Sequence, residues 1–256
     1  MPNVSHLLTV ATLVTGLGVD SSLDAVRGAQ HMLELHTWSE IVRIENTAPR
    51  SRYPRVLPAL IFQLDSVLWF YTPTDGTQSL SLYRNHADAD KVNLGPLLAA
   101  IDKGFTRWEV LPRGVGPPPA GTRLPNGCFI ESMALFFQRV AYDPRIENPK
   151  LLSYYVTLPG GTHGHTVLQY TLGGRIQIVD PDRPASTLRV RYADEDDAKS
   201  VADWIRGDVT KARQLPLEEF LDRAPGRYYA RVPSGLAKND DPNPPEQPRP
   251  PGNSRS

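Results

Sequence analysis

The chain has 256 residues and equal numbers of basic and acidic side chains, with 28 Lys+Arg against 28 Asp+Glu. This length suits one large domain or two small ones and is sufficient for a hydrophobic core. The neutral balance argues against general binding of nucleic acid or of acidic membrane lipid. The single cysteine excludes an intrachain disulfide and a cysteine-rich zinc site.

Residues 1–19 contain no Asp, Glu, Lys or Arg. The apolar run at residues 7–14 resembles the apolar part of a secretory signal, but a positively charged start and a small-residue cleavage site are missing. The run is also short for a membrane span. An ordinary first helix fits the same residues. The first interpretation predicts export and the second a cytoplasmic protein, and both remain open.

Residues 20–125 are predicted to form an N-terminal α+β part. Its clearest feature is an antiparallel β-meander at residues 59–83, in which three runs of β-forming residues are separated by turn-forming residues. We expect the aromatic side chains of its middle run to lie in the core. The other predicted elements are a helix at 24–35, a strand at 38–45, a helix at 94–101, a strand at 106–111 and a Pro/Gly-rich loop at 113–125.

Residues 126–140 contain the only cysteine of the chain. Asn126 and Gly127 interrupt the backbone, and a run of helix-forming and apolar residues follows, which predicts a helix beginning at Cys128. Because this run is apolar on nearly every face, we expect protein to surround the helix. The N–H groups and the positive dipole at a helix start stabilise a thiolate, as a cysteine nucleophile requires. Inert buried cysteines are also common, so Cys128 alone does not decide its role.

Residues 126–232 are predicted as one unit in which the cysteine-bearing helix packs on an antiparallel sheet. The elements after that helix are strands at 150–158, 165–172, 175–179 and 187–192, glycine turns at 160–164 and 173–174, a helix at 198–205 and a short final helix at 217–221. Residues 233–256 are rich in Pro and polar residues and almost free of apolar ones. This composition predicts a disordered tail.

A cysteine nucleophile needs a base within hydrogen-bond reach and a third group that orients the base. His165 is predicted to open one strand, and Asp180 to close the next strand of the same hairpin. The start of one antiparallel strand faces the end of the next, so the two side chains can meet at one edge of the sheet. His163 and Asp182 compete for these roles. The regular strand favours His165, and Pro181, which ends the strand, favours Asp180.

The ordered motifs Gly127-Cys128, Gly164-His165-Thr166-Val167 and Ile178-Val179-Asp180-Pro181 resemble the transglutaminase-like branch of the papain-like cysteine enzymes. The intervals of 37 residues (165 − 128) and 15 residues (180 − 165) are usual for that superfamily's compact core. The resemblance covers residues 126–182, less than a quarter of the chain. It implies an α+β core, to which the β-meander is an addition.

The same resemblance implies thiol-dependent hydrolysis or acyl transfer on the amide or peptide bonds of a peptide or protein substrate, without a metal or a cofactor. By that match Cys128 is the nucleophile, His165 the general base and then acid, and Asp180 the residue that holds the imidazole. Papain-like enzymes often use an upstream Gln to bind the oxyanion, and this chain has none between Asp102 and Cys128. The Cys128 N–H is one candidate donor, and Asn126 or Trp108 is a second.

Other interpretations remain open. A double-glycine-type peptidase is similar around Cys128 and Asp180-Pro181, although such enzymes usually have a longer Cys-to-His interval and the upstream Gln. A non-catalytic transglutaminase-like binding or structural module would keep the fold without turnover. An arylamine-type acyltransferase would use the same three residue types. The enzymatic interpretations require Cys128, His165 and Asp180 to meet in an open cleft, whereas the structural interpretation does not.

Overall fold

The computed structural model describes residues 19–33, 36–64, 67–80, 94–112, 123–190, 194 and 196–221. Most of the signal-like segment at 1–19, the end of the predicted meander at 81–83, most of the loop at 113–125 and the whole tail at 233–256 lie outside these residues. Within the described residues, no helix is long and apolar enough to cross a membrane.

The fold is α+β, with four α-helices and two antiparallel five-stranded sheets in the described part of the chain. The helices are α1 (Val19–Leu33), α2 (Leu94–Ile101), α3 (Cys128–Arg139) and α4 (Ala198–Arg206). The strands are β1 (Ser39–Asn46), β2 (Val56–Leu64), β3 (Val67–Thr72), β4 (Gly76–Leu80), β5 (Phe105–Val110), β6 (Ile146–Leu158), β7 (Gly161–Leu172), β8 (Arg175–Val179), β9 (Thr187–Arg189) and β10 (Val209–Pro216). A short 3-10 helix spans Glu218–Phe220.

The first sheet has the order β4-β3-β2-β1-β5. Its β2-β3-β4 part confirms the predicted meander as far as the structure describes it. Side chains alternate between the two faces of a strand. Trp69 and Tyr71 therefore lie on the face that packs with α3, whereas Phe70 lies on the face that packs with α2. The aromatic residues of β3 are buried, as the sequence predicts.

The second sheet has the order β10-β6-β7-β8-β9. Its longest pairing is the β6-β7 hairpin, which continues to the pair Leu158↔Gly161. The predicted glycine turn at 160–164 is therefore wrong, because only Pro159 and Gly160 turn the chain. As a consequence, His165 lies inside β7 rather than at its start.

Strand β10 was not predicted from the sequence. It pairs with β6 at an edge of the second sheet, and most of its side chains are exposed or half-buried. An edge strand with little burial has no clear apolar alternation, which is the signal by which strands are recognised. The sequence contains only a short polar and charged run here, including Lys211 and Arg213.

One apolar core joins the two sheets through α3. Its members come from α1, from β1, β2 and β3 of the first sheet, from α3, and from β6, β7 and β8 of the second sheet. Helix α3 is buried along most of its length, as its apolar sequence predicts. The core therefore crosses the boundary that the sequence suggested between residues 125 and 126.

Candidate active site

Cys128 is the first residue of α3, and its side chain is partly exposed. The residue before it, Gly127, is the N-cap and donates its N–H to the Leu124 carbonyl at 2.9 Å. A Cβ atom on Gly127 would lie 2.1 Å from the Cβ atom of Leu124. This close approach requires glycine at position 127, and it fixes how the chain enters the helix.

His165 and Asp180 are brought together by the different lengths of β7 and β8. The pairing of the two strands ends at Leu168↔Val179, so Asp180 follows the last paired residue while β7 extends further. The continued register places Asp180 opposite Val167, with His165 two residues along on the same face. The Nε2 atom of His165 lies 3.0 Å from the Oδ1 atom of Asp180.

Ser132 attaches α3 to β7 beside this pair. Its hydroxyl, one turn after Cys128, donates to the Thr166 carbonyl at 3.0 Å, and its side chain is fully buried. Cys128 is thereby brought close enough to the imidazole for its side chain to raise the pKa of His165. Because Nε2 faces Asp180, Nδ1 is the ring nitrogen left for the sulfur.

The electrostatics of the three groups favour a protonated imidazole. Burial acts to lower the pKa of His165, but the hydrogen bond and charge of Asp180, together with the neighbouring Cys128 side chain, outweigh burial and raise this pKa to about 10. Burial acts in the opposite sense on Asp180, and the bond and charge of His165 nevertheless hold the pKa of Asp180 below its usual value. The arrangement is therefore that of an imidazolium paired with a carboxylate.

Two further contacts fix the orientation of these groups. The ring of Tyr154, the cross-strand partner of His165, meets the imidazole edge to face, with 5.7 Å between the ring centroids and 75° between the planes. The backbone N–H of Asp182 donates to Oδ1 of Asp180 at 2.8 Å. Both contacts restrict rotation of the side chains that they touch.

His165, Asp180 and Asp182 also offer a candidate set of metal ligands, since one ligand atom from each lies within 4.8 Å of the others. Their donor atoms already have partners in the protein. Arg123 donates to Oδ1 of Asp182 at 2.6 Å, and the other two side chains bind one another. A cation here would have to displace the imidazolium and the guanidinium, which favours the hydrogen-bonded arrangement over a metal centre.

The two candidate oxyanion donors do not join this group. Asn126 donates its side-chain amide to the carbonyls of Pro73 and Thr74, at 2.8 and 3.2 Å. Trp108 lies in the core on the α2 face of the first sheet, which is the face turned away from α3. The structure thus brings Cys128, His165 and Asp180 together and places Trp108 and the Asn126 amide elsewhere.

His163 and Asp182, the two residues that compete for the roles of His165 and Asp180, make other contacts or lie further away. His163 shares a face of β7 with His165 but lies two residues further along the strand from its pairing with β8. Asp182 forms an ion pair with Arg123. Sequence reasoning missed Tyr154 and Ser132. A tyrosine in a strand and a serine in a helix carry no local signal of such contacts, since both depend on pairing across the fold.

No protein-family model matches the sequence, and no curated protein matches it. The interpretation of the site therefore depends on the geometry and the chemistry of its own residues.

Proposed function

We propose that the chain is a thiol-dependent hydrolase or acyltransferase of the transglutaminase-like type, acting on peptide or amide bonds. One observation carries the proposal. The His165 imidazole is hydrogen-bonded to the Asp180 carboxylate at 3.0 Å, and it lies close enough to the only cysteine of the chain for that side chain to raise the pKa of His165. These are the three groups that a triad needs as nucleophile, base and orienting group.

The architecture around the triad supports the same proposal. The nucleophile begins a buried helix that packs against β7. The base lies in β7, and the carboxylate that orients it directly follows the neighbouring strand β8. This is the arrangement that the resemblance to papain-like enzymes implies. The first sheet, formed by residues that precede Cys128, is then an addition to that core.

In the proposed reaction, the Cys128 sulfur attacks the carbonyl carbon of the substrate and a C–S bond forms, while the π electrons move to the oxygen. His165 donates its proton to the leaving nitrogen as the C–N bond breaks. Water or an acceptor amine then attacks the acyl-enzyme and gives its proton back to His165. The C–S bond breaks, and the thiolate is restored.

The oxyanion of this reaction needs donors close to the sulfur. The N–H groups of Cys128 and Phe129 belong to the first turn of α3, where backbone donors have no partner within the helix. Among the described residues, neither N–H group has a hydrogen-bond acceptor. These two groups and the positive end of the helix dipole are the oxyanion site that the proposal uses.

A peptidyl vinyl sulfone tests the proposed function, because this reagent alkylates a thiolate that lies beside a proton donor. The proposal predicts stoichiometric modification of Cys128 in the native protein, measured by intact mass. Modification should be at least ~100-fold slower after urea unfolding or in Asp180→Asn, given the usual contribution of acid–base groups. Equal rates for the native and the unfolded protein would contradict it.

A further inference from the structure

Residues 123–127, which we call the anchored segment, lead into Cys128 and are bound at every position. Arg123 pairs with Asp182. Leu124 donates its N–H to Oε1 of Glu131 at 3.0 Å and accepts from Gly127. The remaining two residues bind the first sheet. The segment therefore connects three parts of the fold: the loop after Asp180, helix α3 and the meander.

Asn126 makes the closest link to the first sheet. Its backbone is left-handed, with φ 52°, and its amide group donates to the carbonyls of Pro73 and Thr74 in the β3-β4 turn. The turn also approaches the Asn126 backbone, since a Cβ atom on Gly76 would lie 3.1 Å from the Asn126 carbonyl oxygen. Tyr71 adds a second link by donating its hydroxyl to the Pro125 carbonyl at 2.8 Å.

The β3-β4 turn is itself held in place. Asp75 accepts from the Tyr53 hydroxyl at 2.7 Å, and Arg52 forms an ion pair with the same carboxylate oxygen at 2.7 Å. The Asp75 N–H donates to the Thr72 hydroxyl at 3.1 Å. A turn restrained at both its backbone and its side chain is a fixed support for the amide of Asn126.

We infer that Asn126 is a positioning residue, which sets the Cys128 sulfur and the first-turn N–H groups against His165 by anchoring the start of α3 to the β3-β4 turn. The inference rests on the proposed function and assigns the first sheet a part in it. Both amide hydrogens of Asn126 are used in this anchor. Asn126 therefore acts through Cys128 and does not itself bind the oxyanion.

The test uses the pH dependence of iodoacetamide alkylation, followed by mass in the full-length protein, where Cys128 is the only cysteine. Asn126→Gly keeps the left-handed backbone accessible and removes the side chain that carries the amide. Asn148→Gly is the matched control, because Asn148 has φ 48° and lies at the β6 bulge, at the far end of that strand from Tyr154. Thermal unfolding is measured for both variants.

We expect Asn126→Gly to lower the alkylation rate at pH 6 about 10-fold, less than the ~100-fold that a 1 Å displacement can cost. The rise of its alkylation rate with pH should move to higher pH, toward the profile of an ordinary thiol. Asn148→Gly should keep the wild-type profile whatever its change in melting temperature. If Asn126→Gly does not fold, Tyr71→Phe replaces it as the test, because this variant removes the hydrogen bond to the Pro125 carbonyl. Its pH profile of alkylation should shift in the same direction by a smaller amount.

A wild-type profile in both Asn126→Gly and Tyr71→Phe would overturn the positioning role and leave the proposed function intact. A wild-type protein that itself behaves as an ordinary thiol would overturn both.

Discussion

Nε2 of His165 lies 3.0 Å from Oδ1 of Asp180, although His165 lies in β7 and Asp180 follows the last residue of β8. The contact exists because β7 is longer than β8, which leaves the carboxylate at the strand end free to turn toward the ring. Because Nε2 faces Asp180, Nδ1 is the ring nitrogen that remains for Cys128.

Asp180→Asn should lower the pKa of His165 from about 10 toward its ordinary value, because the negative charge that favours the imidazolium is removed. Asp182→Asn is the matched control, since Asp182 supports Asp180 through its backbone N–H, which this substitution keeps. The measurement is an NMR titration of the His165 ring. Equal His165 pKa values in the wild type and Asp180→Asn would contradict the prediction.

The same pair predicts a pH-dependent contribution to stability. The raised pKa of His165 gives stability that is complete below its unfolded value of 6.5 and is lost as the pH rises toward about 10. The lowered pKa of Asp180 gives stability that is present above its unfolded value of 3.8 and is lost in acid. The loss of stability in Asp180→Asn should therefore be largest between pH 4 and 6.5.

Urea unfolding at pH 5.5 and pH 9.5 measures this difference. We expect the free energy lost in Asp180→Asn to be greater at pH 5.5 by more than ~1 kcal/mol, since one unit of pKa shift corresponds to ~1.4 kcal/mol. A loss that is equal at the two pH values, or greater at pH 9.5, would show that the pair does not stabilise the imidazolium.

Ser132→Ala should destabilise the fold by about 1–3 kcal/mol, because it leaves the buried acceptor on Thr166 without its donor. It should also slow alkylation of Cys128, since the first turn of α3 loses its attachment to β7. Ser79→Ala, at an exposed position of β4, is the control and should change stability by less than ~0.5 kcal/mol. Similar urea midpoints for the two variants would contradict this role of Ser132.

Gly127→Ala should destabilise the fold by about 1–3 kcal/mol, the usual range for overpacking, because its Cβ atom would lie 2.1 Å from that of Leu124. Gly160→Ala is the matched substitution in the β6-β7 turn, where an added Cβ atom meets nothing within 4 Å. It should leave the melting temperature unchanged or raise it slightly. Unfolding curves of both variants check the contrast, and equal losses would argue against a specific requirement at Gly127.

The sequence predicted the elements whose signal is local. Helix α3 begins at Cys128 as expected, because Asn126 and Gly127 interrupt the backbone just before an apolar run. Strand β8 has its predicted bounds, because glycines precede it and Pro181 follows it closely. The meander was predictable for the same reason, since runs of β-forming residues alternate with turn residues.

The features that the sequence did not reveal depend on contacts between distant residues. The amide of Asn126 meets carbonyls more than 50 residues earlier in the chain, so its sequence neighbours do not distinguish an anchor from an oxyanion donor. The predicted turn before β7 lies too late in the chain, because Gly161 and Gly164 are residues typical of turns, whereas the strand already begins at Gly161. In the structure, Gly164 lies in the strand, where an added Cβ atom would meet the Tyr155 ring at 2.9 Å.

The central claim is that Cys128 and His165 form a reactive pair, and the alkylation rate of Cys128 between pH 5 and pH 9 tests it most directly. The account predicts that the wild-type protein reacts rapidly with iodoacetamide at pH 6 and that His165→Gln reacts at least ~10-fold more slowly there, as expected for an ordinary thiol with a pKa of about 8.5. Superimposable profiles for the two proteins, each rising only above pH 8, would contradict the account.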